Sequence, residues 1–244
     1  MKLLKNNILA ISMILLTSCS VTYHQLPPEY KSNTSIDSNV ESDEVIVNMI
    51  IPYKEELKKK MDRVLAYTAI DLHKDGFSSP LANIVSDITF ETVDNLYQKE
   101  GKGHIDAVLL NHGGLRRTFT AGNLTVGNIF ELAPFENEIV VADLKGETIK
   151  ELVEYYLNGG VGHPVTGITA TSINDIKIGG QSLDLNKIYK VATNDYLLNG
   201  GDSMFFFLKA LNKDVVGLKQ RDLLLDYFEK VDTLKVNTNQ RIIK

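Results

Sequence analysis

A single cysteine, Cys19, occurs in the 244-residue chain, and that count narrows most sharply how the chain can be held together. No internal disulfide can form, and zinc sites built from several thiolates are excluded. The fold must therefore rest on buried apolar surface. Hydrophobic residues make up 43% of the sequence, and the length is ample for a substantial core. The formal charge of −5 argues against a nucleic-acid backbone as the main partner, since phosphate neutralisation calls for a basic surface. A small anionic ligand remains within the reach of a few local arginines.

The position of the cysteine is also informative. Lys2 and Lys5 precede an apolar stretch, Ile8 to Leu16, that is too short for a permanent span and ends in Leu16-Thr17-Ser18-Cys19. This resembles the bacterial lipobox. The resemblance implies a signal peptide over residues 1–18, lipidation of Cys19, and anchoring in the bacterial cell envelope at a periplasmic or outer-membrane face. Residues 19–44 are rich in Ser, Asn, Thr, Asp and Glu and read as a flexible tether. The globular body is expected over 45–244.

Within that body, Pro52 to Leu65 suits a helix, with Pro at the first turn and Leu57, Met61 and Val64/Leu65 on one face. A second helix has Ser79 as N-cap and Pro80 at N1. Its apolar repeat of Leu81, Ile84, Val85, Ile88 and Leu96 runs toward Gly101. Thr125 caps a short helix to Leu132, Glu147 to Leu157 forms another, and Arg221 to Val231 a late one. Strands are expected at Ile105–Leu110, Ile139–Leu144, Ile168–Ile173 and Ile188–Thr193. Helices and strands interleave without regular βαβ spacing, which predicts a single α+β domain with mixed sheet and packed helices.

Three turns place polar or aromatic groups beside glycine or proline. Asn111-His112-Gly113-Gly114-Leu115-Arg116 follows a buried strand, where glycines allow close backbone approach to a ligand and an arginine can grip phosphate. Ala133-Pro134-Phe135-Glu136-Asn137 holds an aromatic on a rigid turn. Asn194-Asp195-Tyr196-Leu197-Leu198-Asn199-Gly200-Gly201-Asp202 sets a Tyr near a Gly-Gly-Asp. Two separated rings can sandwich a planar base, an Asp can accept from ribose hydroxyls, and an Arg can neutralise phosphate. Together they specify a nucleotide, with the guanidinium expected at the far end of the cleft from the rings.

In this order, Asn-x-Gly-Gly-x-Arg, Pro-Phe-Glu-Asn and Tyr-Leu-Leu-Asn-Gly-Gly-Asp resemble the C-terminal, substrate-binding domain of the 5′-nucleotidase family, over roughly Pro52 to the C-terminus. The resemblance implies that Phe135 and Tyr196 stack on either side of the base. Asn111 and Arg116 would contact phosphate or ribose, Asp202 the ribose hydroxyls, while Gly113 and Gly114 give room and Gly200 and Gly201 shape the loop. The family commonly has a further arginine just before the Ser79 helix. This chain has Leu72-His73-Lys74-Asp75-Gly76 there, leaving Lys74 as the substitute.

The resemblance also implies that hydrolysis belongs to a metallophosphatase domain with two divalent metals, whose ligand motifs this sequence does not reproduce. Asp71-Leu72-His73 and Asn111-His112 mimic two of them, but Gly162-His163 lacks the second His of a third. The expectation is therefore no catalytic residue, metal ligand or cofactor in this chain. It is the nucleotide-binding half of a phosphohydrolase of nucleotide catabolism, completed by a separately encoded metallophosphatase polypeptide. The alternative is a lipid-anchored nucleotide- or nucleoside-binding module without a catalytic partner; a self-sufficient phosphohydrolase ranks last. The base and the number of phosphates stay open, because stacking tolerates any base.

Overall fold

The computed structural model describes residues 30, 32–33 and 35–243. The chain divides between Val47 and Asn48 into two units. In the first, the described residues are exposed and include one turn, in which the Val40 amide donates to the Asp37 carbonyl at 3.1 Å. The elements in chain order are α1 (Glu44–Met61), β1 (Val64–Thr68), α2 (Pro80–Lys99), β2 (Ala107–Leu109), β3 (Gly122–Thr125), α3 (Val126–Leu132) and β4 (Glu138–Lys145). Then come α4 (Gly146–Asn158), β5 (Val165–Thr166), β6 (Ile168–Ser172), β7 (Asp175–Ile178), β8 (Gln181–Ser182), β9 (Ile188–Asn194), α5 (Asp195–Leu198), β10 (Asn212–Lys219) and α6 (Gln220–Phe228).

A five-stranded mixed sheet, ordered β10-β4-β9-β2-β5, forms the centre. β2 runs parallel to β9, and the other neighbours are antiparallel. Both faces are buried, so alternate side chains enter two different cores. Val108, Leu110, Ile139, Val141 and Ala192 pack with α2, α3, α6 and the β1–β3 ribbon. Ala107, Leu109, Val140, Ala142, Leu144 and Val191 pack with α4, the β6–β7–β8 sheet and Phe206 and Phe207. A slip of one residue would exchange these sets, which pins the register. The fold is thus α+β with mixed sheet, as the sequence predicts.

The caps of α2 and α3 stand where expected. Ser79 Oγ accepts from the Ala82 amide at 3.2 Å, with Pro80 opening α2. Thr125 and Asn128 form a capping box at α3. The expected Pro52–Leu65 helix is corrected in both bounds. Asp43 Oδ1 accepts from the Val45 and Ile46 amides at 2.9 and 3.2 Å, starting the helix two turns earlier and leaving Pro52 inside it. Val64 and Leu65 belong instead to β1, where Ala66 and Thr68 are buried alternately. None of α1's side chains is buried.

Candidate functional site

The strand directions bring the three turns together. β2 and β9 run parallel, so the residues following each emerge at the same end of the sheet; β4 is antiparallel and begins there, with Ile139 opposite Asn194. Asn111, Phe135 and Tyr196 thereby meet although they are far apart in sequence.

A cavity of about 300 Å³ lies at this end, lined by Asn111, Gly113, Arg116, Phe135, Asn137, Tyr196 and Asp202. Six of the seven residues selected from the sequence line it. The seventh, Gly114, sits behind it: a Cβ there would stand 2.8 Å from Asn111 Oδ1, so this glycine makes room for the Asn111 side chain. Sequence reasoning does not single out Asn137, although it lies within the Pro-Phe-Glu-Asn motif; its place two residues after Phe135 on the same turn is the signal that points to it.

Buried polar contacts set the walls. The Asn194 side chain donates to Asn111 Oδ1 at 3.1 Å and to Gln220 Oε1 at 3.4 Å, while its own Oδ1 caps α5 through the Leu197 amide at 3.0 Å. One asparagine thus ties the ends of β2 and β9 to the start of α6. The Phe135 turn is held from α6 as well. Arg221 donates to the Pro134 carbonyl at 3.2 Å, pairs with Glu136 and lies 4.6 Å over the Phe130 ring. Hydrogen bonding to Lys219, then to Arg221, keeps the Glu136 carboxyl below its ordinary range.

Phe135 and Tyr196 are 47% and 44% exposed, and both line the cavity. Tyr196 donates its hydroxyl to Asp202 Oδ1 at 2.7 Å and accepts from the Asp202 amide at 3.1 Å. Gly201 permits this fold-back, since a Cβ there would approach the Tyr196 ring to 2.5 Å. Asp202 and Ser203 adopt φ of 51° and 61°, a left-handed conformation that non-glycine residues rarely take outside functional loops. Arg116 lies beside the aromatic wall rather than at the far end: its guanidinium is 5.9 Å from the Phe135 ring centre, with Nη1 donating to the Gly113 carbonyl at 3.3 Å. The ring face and a backbone acceptor are the nearest partners for its charge. Lys74 is spent on the Leu115 carbonyl at 3.0 Å and does not line the cavity.

Among the described residues, no group of three or more His, Cys, Asp or Glu could hold a metal ion. Three side chains of the partial motifs meet backbone groups. Asp71 Oδ1 accepts from the Ala121 amide at 2.8 Å, His112 Nδ1 meets the Gly162 carbonyl at 3.1 Å, and His163 Nδ1 accepts from the His112 amide at 3.2 Å. Cys19 and residues 1–18 lie outside the described residues, and no described helix is long and apolar enough to cross a membrane.

The architecture is an α+β domain with a small aromatic-walled cavity at one end of a mixed sheet. Within that class the chain belongs to the family described as 5′-nucleotidase, C-terminal domain, whose model matches residues 67–210. Among curated relatives, the trifunctional nucleotide phosphoesterase protein YfkN of Bacillus subtilis is 28% identical over 228 residues, covering 82% of this chain and 15% of that protein. The 5′-nucleotidase of Vibrio cholerae is 23% identical, covering 89% and 41%. The 5′-nucleotidase precursor of Thermus thermophilus shares the fold, with a TM-score of 0.67, 22% identity, and coverage of 82% of this chain and 43% of that one. The chain therefore spans less than half the length of these relatives.

Proposed function

We propose that this chain is the nucleotide-recognition half of a 5′-nucleotidase-type phosphohydrolase acting in nucleotide catabolism. The observation that carries the reading is the convergence of Phe135, Tyr196, Asp202, Arg116, Asn111 and Asn137 on one cavity. The two exposed rings supply faces for a base. Asp202, with Oδ1 held by Tyr196, keeps Oδ2 as an acceptor for sugar hydroxyls. Arg116 offers donors to phosphate from beside Phe135.

Hydrolysis needs a group that these residues do not supply, so a separate metallophosphatase domain or polypeptide completes the enzyme. Positioning and chemistry are separable in this way because an oriented substrate needs only to be presented to the metal-bearing partner. The Leu16-Thr17-Ser18-Cys19 segment supports export and acylation at Cys19, placing the domain on the bacterial envelope behind a tether.

Isothermal titration with AMP and adenosine tests the reading. Phe135→Ala combined with Tyr196→Ala is expected to weaken both ligands by at least tenfold, from about 1–3 kcal/mol per stacked base. Arg116→Ala should weaken AMP more than adenosine. Unchanged affinity for both ligands in the double variant would refute nucleotide binding at this cavity.

A further inference from the structure

We infer that His163, which lies outside the lining of the cavity, is a positioning residue for it: the imidazole acts as a hydrogen-bond acceptor that holds the Asn111–Arg116 turn in place. The inference rests on the nucleotide-binding reading for its functional consequence. Its structural content stands on the contacts that follow.

β2 and β5 pair antiparallel, with Leu109 opposite Val165. The ladder continues one step further, where the Leu110 amide donates to the Pro164 carbonyl at 2.9 Å. At the next donor the partner changes. The His112 amide donates to Nδ1 of His163 at 3.2 Å, so the side chain stands in for a backbone carbonyl after the strand has ended. A backbone N–H can only donate, which makes Nδ1 an unprotonated acceptor and puts the ring's proton on Nε2.

That ring is itself fixed. His163 is 5% exposed, and it packs against Tyr156 and Tyr155 with ring centres 5.6 and 5.8 Å away. The Tyr156 hydroxyl lies within hydrogen-bond distance of two carbonyls, Phe77 at 2.7 Å and His163 at 2.9 Å, and shares its one proton between them. The Tyr155 hydroxyl donates to the Asp202 carbonyl at 2.7 Å. The junction thus reaches both sides of the cavity, the Gly113–Arg116 turn through His112 and the Asp202 loop through Tyr155.

Two substitutions separate an acceptor from a space-filling ring. His163→Asn places Oδ1 near the position of Nδ1 and sacrifices ring volume. His163→Phe keeps the buried ring and removes the acceptor. At pH 7, His163→Phe is expected to weaken AMP about fivefold or more, the loss of one buried hydrogen bond, while His163→Asn stays within about twofold of the parent. Deuterium exchange over residues 110–117 should quicken in His163→Phe and stay near the parent rate in His163→Asn. The reverse ranking, or unchanged exchange in His163→Phe, would overturn the inference. A parent chain that fails to bind AMP would remove the nucleotide reading alone, and the exchange comparison would still decide whether His163 positions the turn.

Discussion

Tyr196 combines two properties in one side chain, a partly exposed ring at the cavity and a hydroxyl that orients Asp202. Its hydrogen bond to the Asp202 carboxylate is the main reason its pKa is raised, so the phenol stays a donor across the physiological range. Tyr196→Phe keeps the ring and frees Asp202; adenosine affinity is expected to fall about three- to tenfold, the worth of one charge-assisted hydrogen bond less what solvent returns. Titration calorimetry reads this, and parent-like affinity would show that the Tyr196–Asp202 contact does not serve the ligand. Phe135, Tyr196 and Asp202 are legible from the ordered conjunction of their turns, since each turn alone also fits a plain packing or capping role. Asn194 and Gln220 are not, since their side chains acquire meaning only when β2, β9 and α6 meet.

At the level of elements, end signals proved more legible than edges. Thr125 accepts from the Asn128 amide at 3.3 Å, and the Asn128 side chain accepts from the Thr125 amide at 3.0 Å. Thr125→Ala should therefore cost about 1 kcal/mol, read as a lower urea midpoint with unchanged slope. No shift in midpoint would mean that tertiary packing alone holds α3. The start of α1 escaped the sequence reading because Asp43, its cap, lies in a polar stretch resembling a tether. β10 escaped it for another reason. It is an edge strand with Val215 exposed, and a register shift separates Val215 from Lys219 around Gly217, whose φ is +74°. Its alternation is too broken to announce a strand.

For the whole molecule, the two cores on either side of one sheet make stability depend on groups buried between layers. Burial is the main cause that pushes the His163 pKa down to about 4, with His112 acting in the same direction and Asp202 against it; the Tyr155 and Tyr156 rings pack against it. The unfolded chain takes up this proton near 6.5, whereas the folded chain does not until about 4. Between those values the unfolded state binds more protons, so stability falls as pH falls through that window and levels off below it. The contribution is of order 3 kcal/mol. Urea denaturation at pH 7 and pH 4.5 should show a smaller loss in His163→Asn than in the parent. Equal losses would mean that His163 does not titrate this way. The same layering explains why the cavity sits where it does, at the one sheet end where two parallel strands finish and an antiparallel strand begins.

Sequence by itself determined the local pieces: the capped starts of α2 and α3, the glycine turns, the ring and carboxylate side chains set beside them, and the family those turns mark. These depend on hydrogen bonds and backbone freedom within a few residues. Tertiary structure alone decided how the three distant turns, expected to converge, are brought to one sheet end, that Arg116 lies over Phe135, and that His163 completes a ladder for His112. Those outcomes follow from strand order and register, which are set by burying both faces of the sheet at once, and no short stretch of chain carries that requirement.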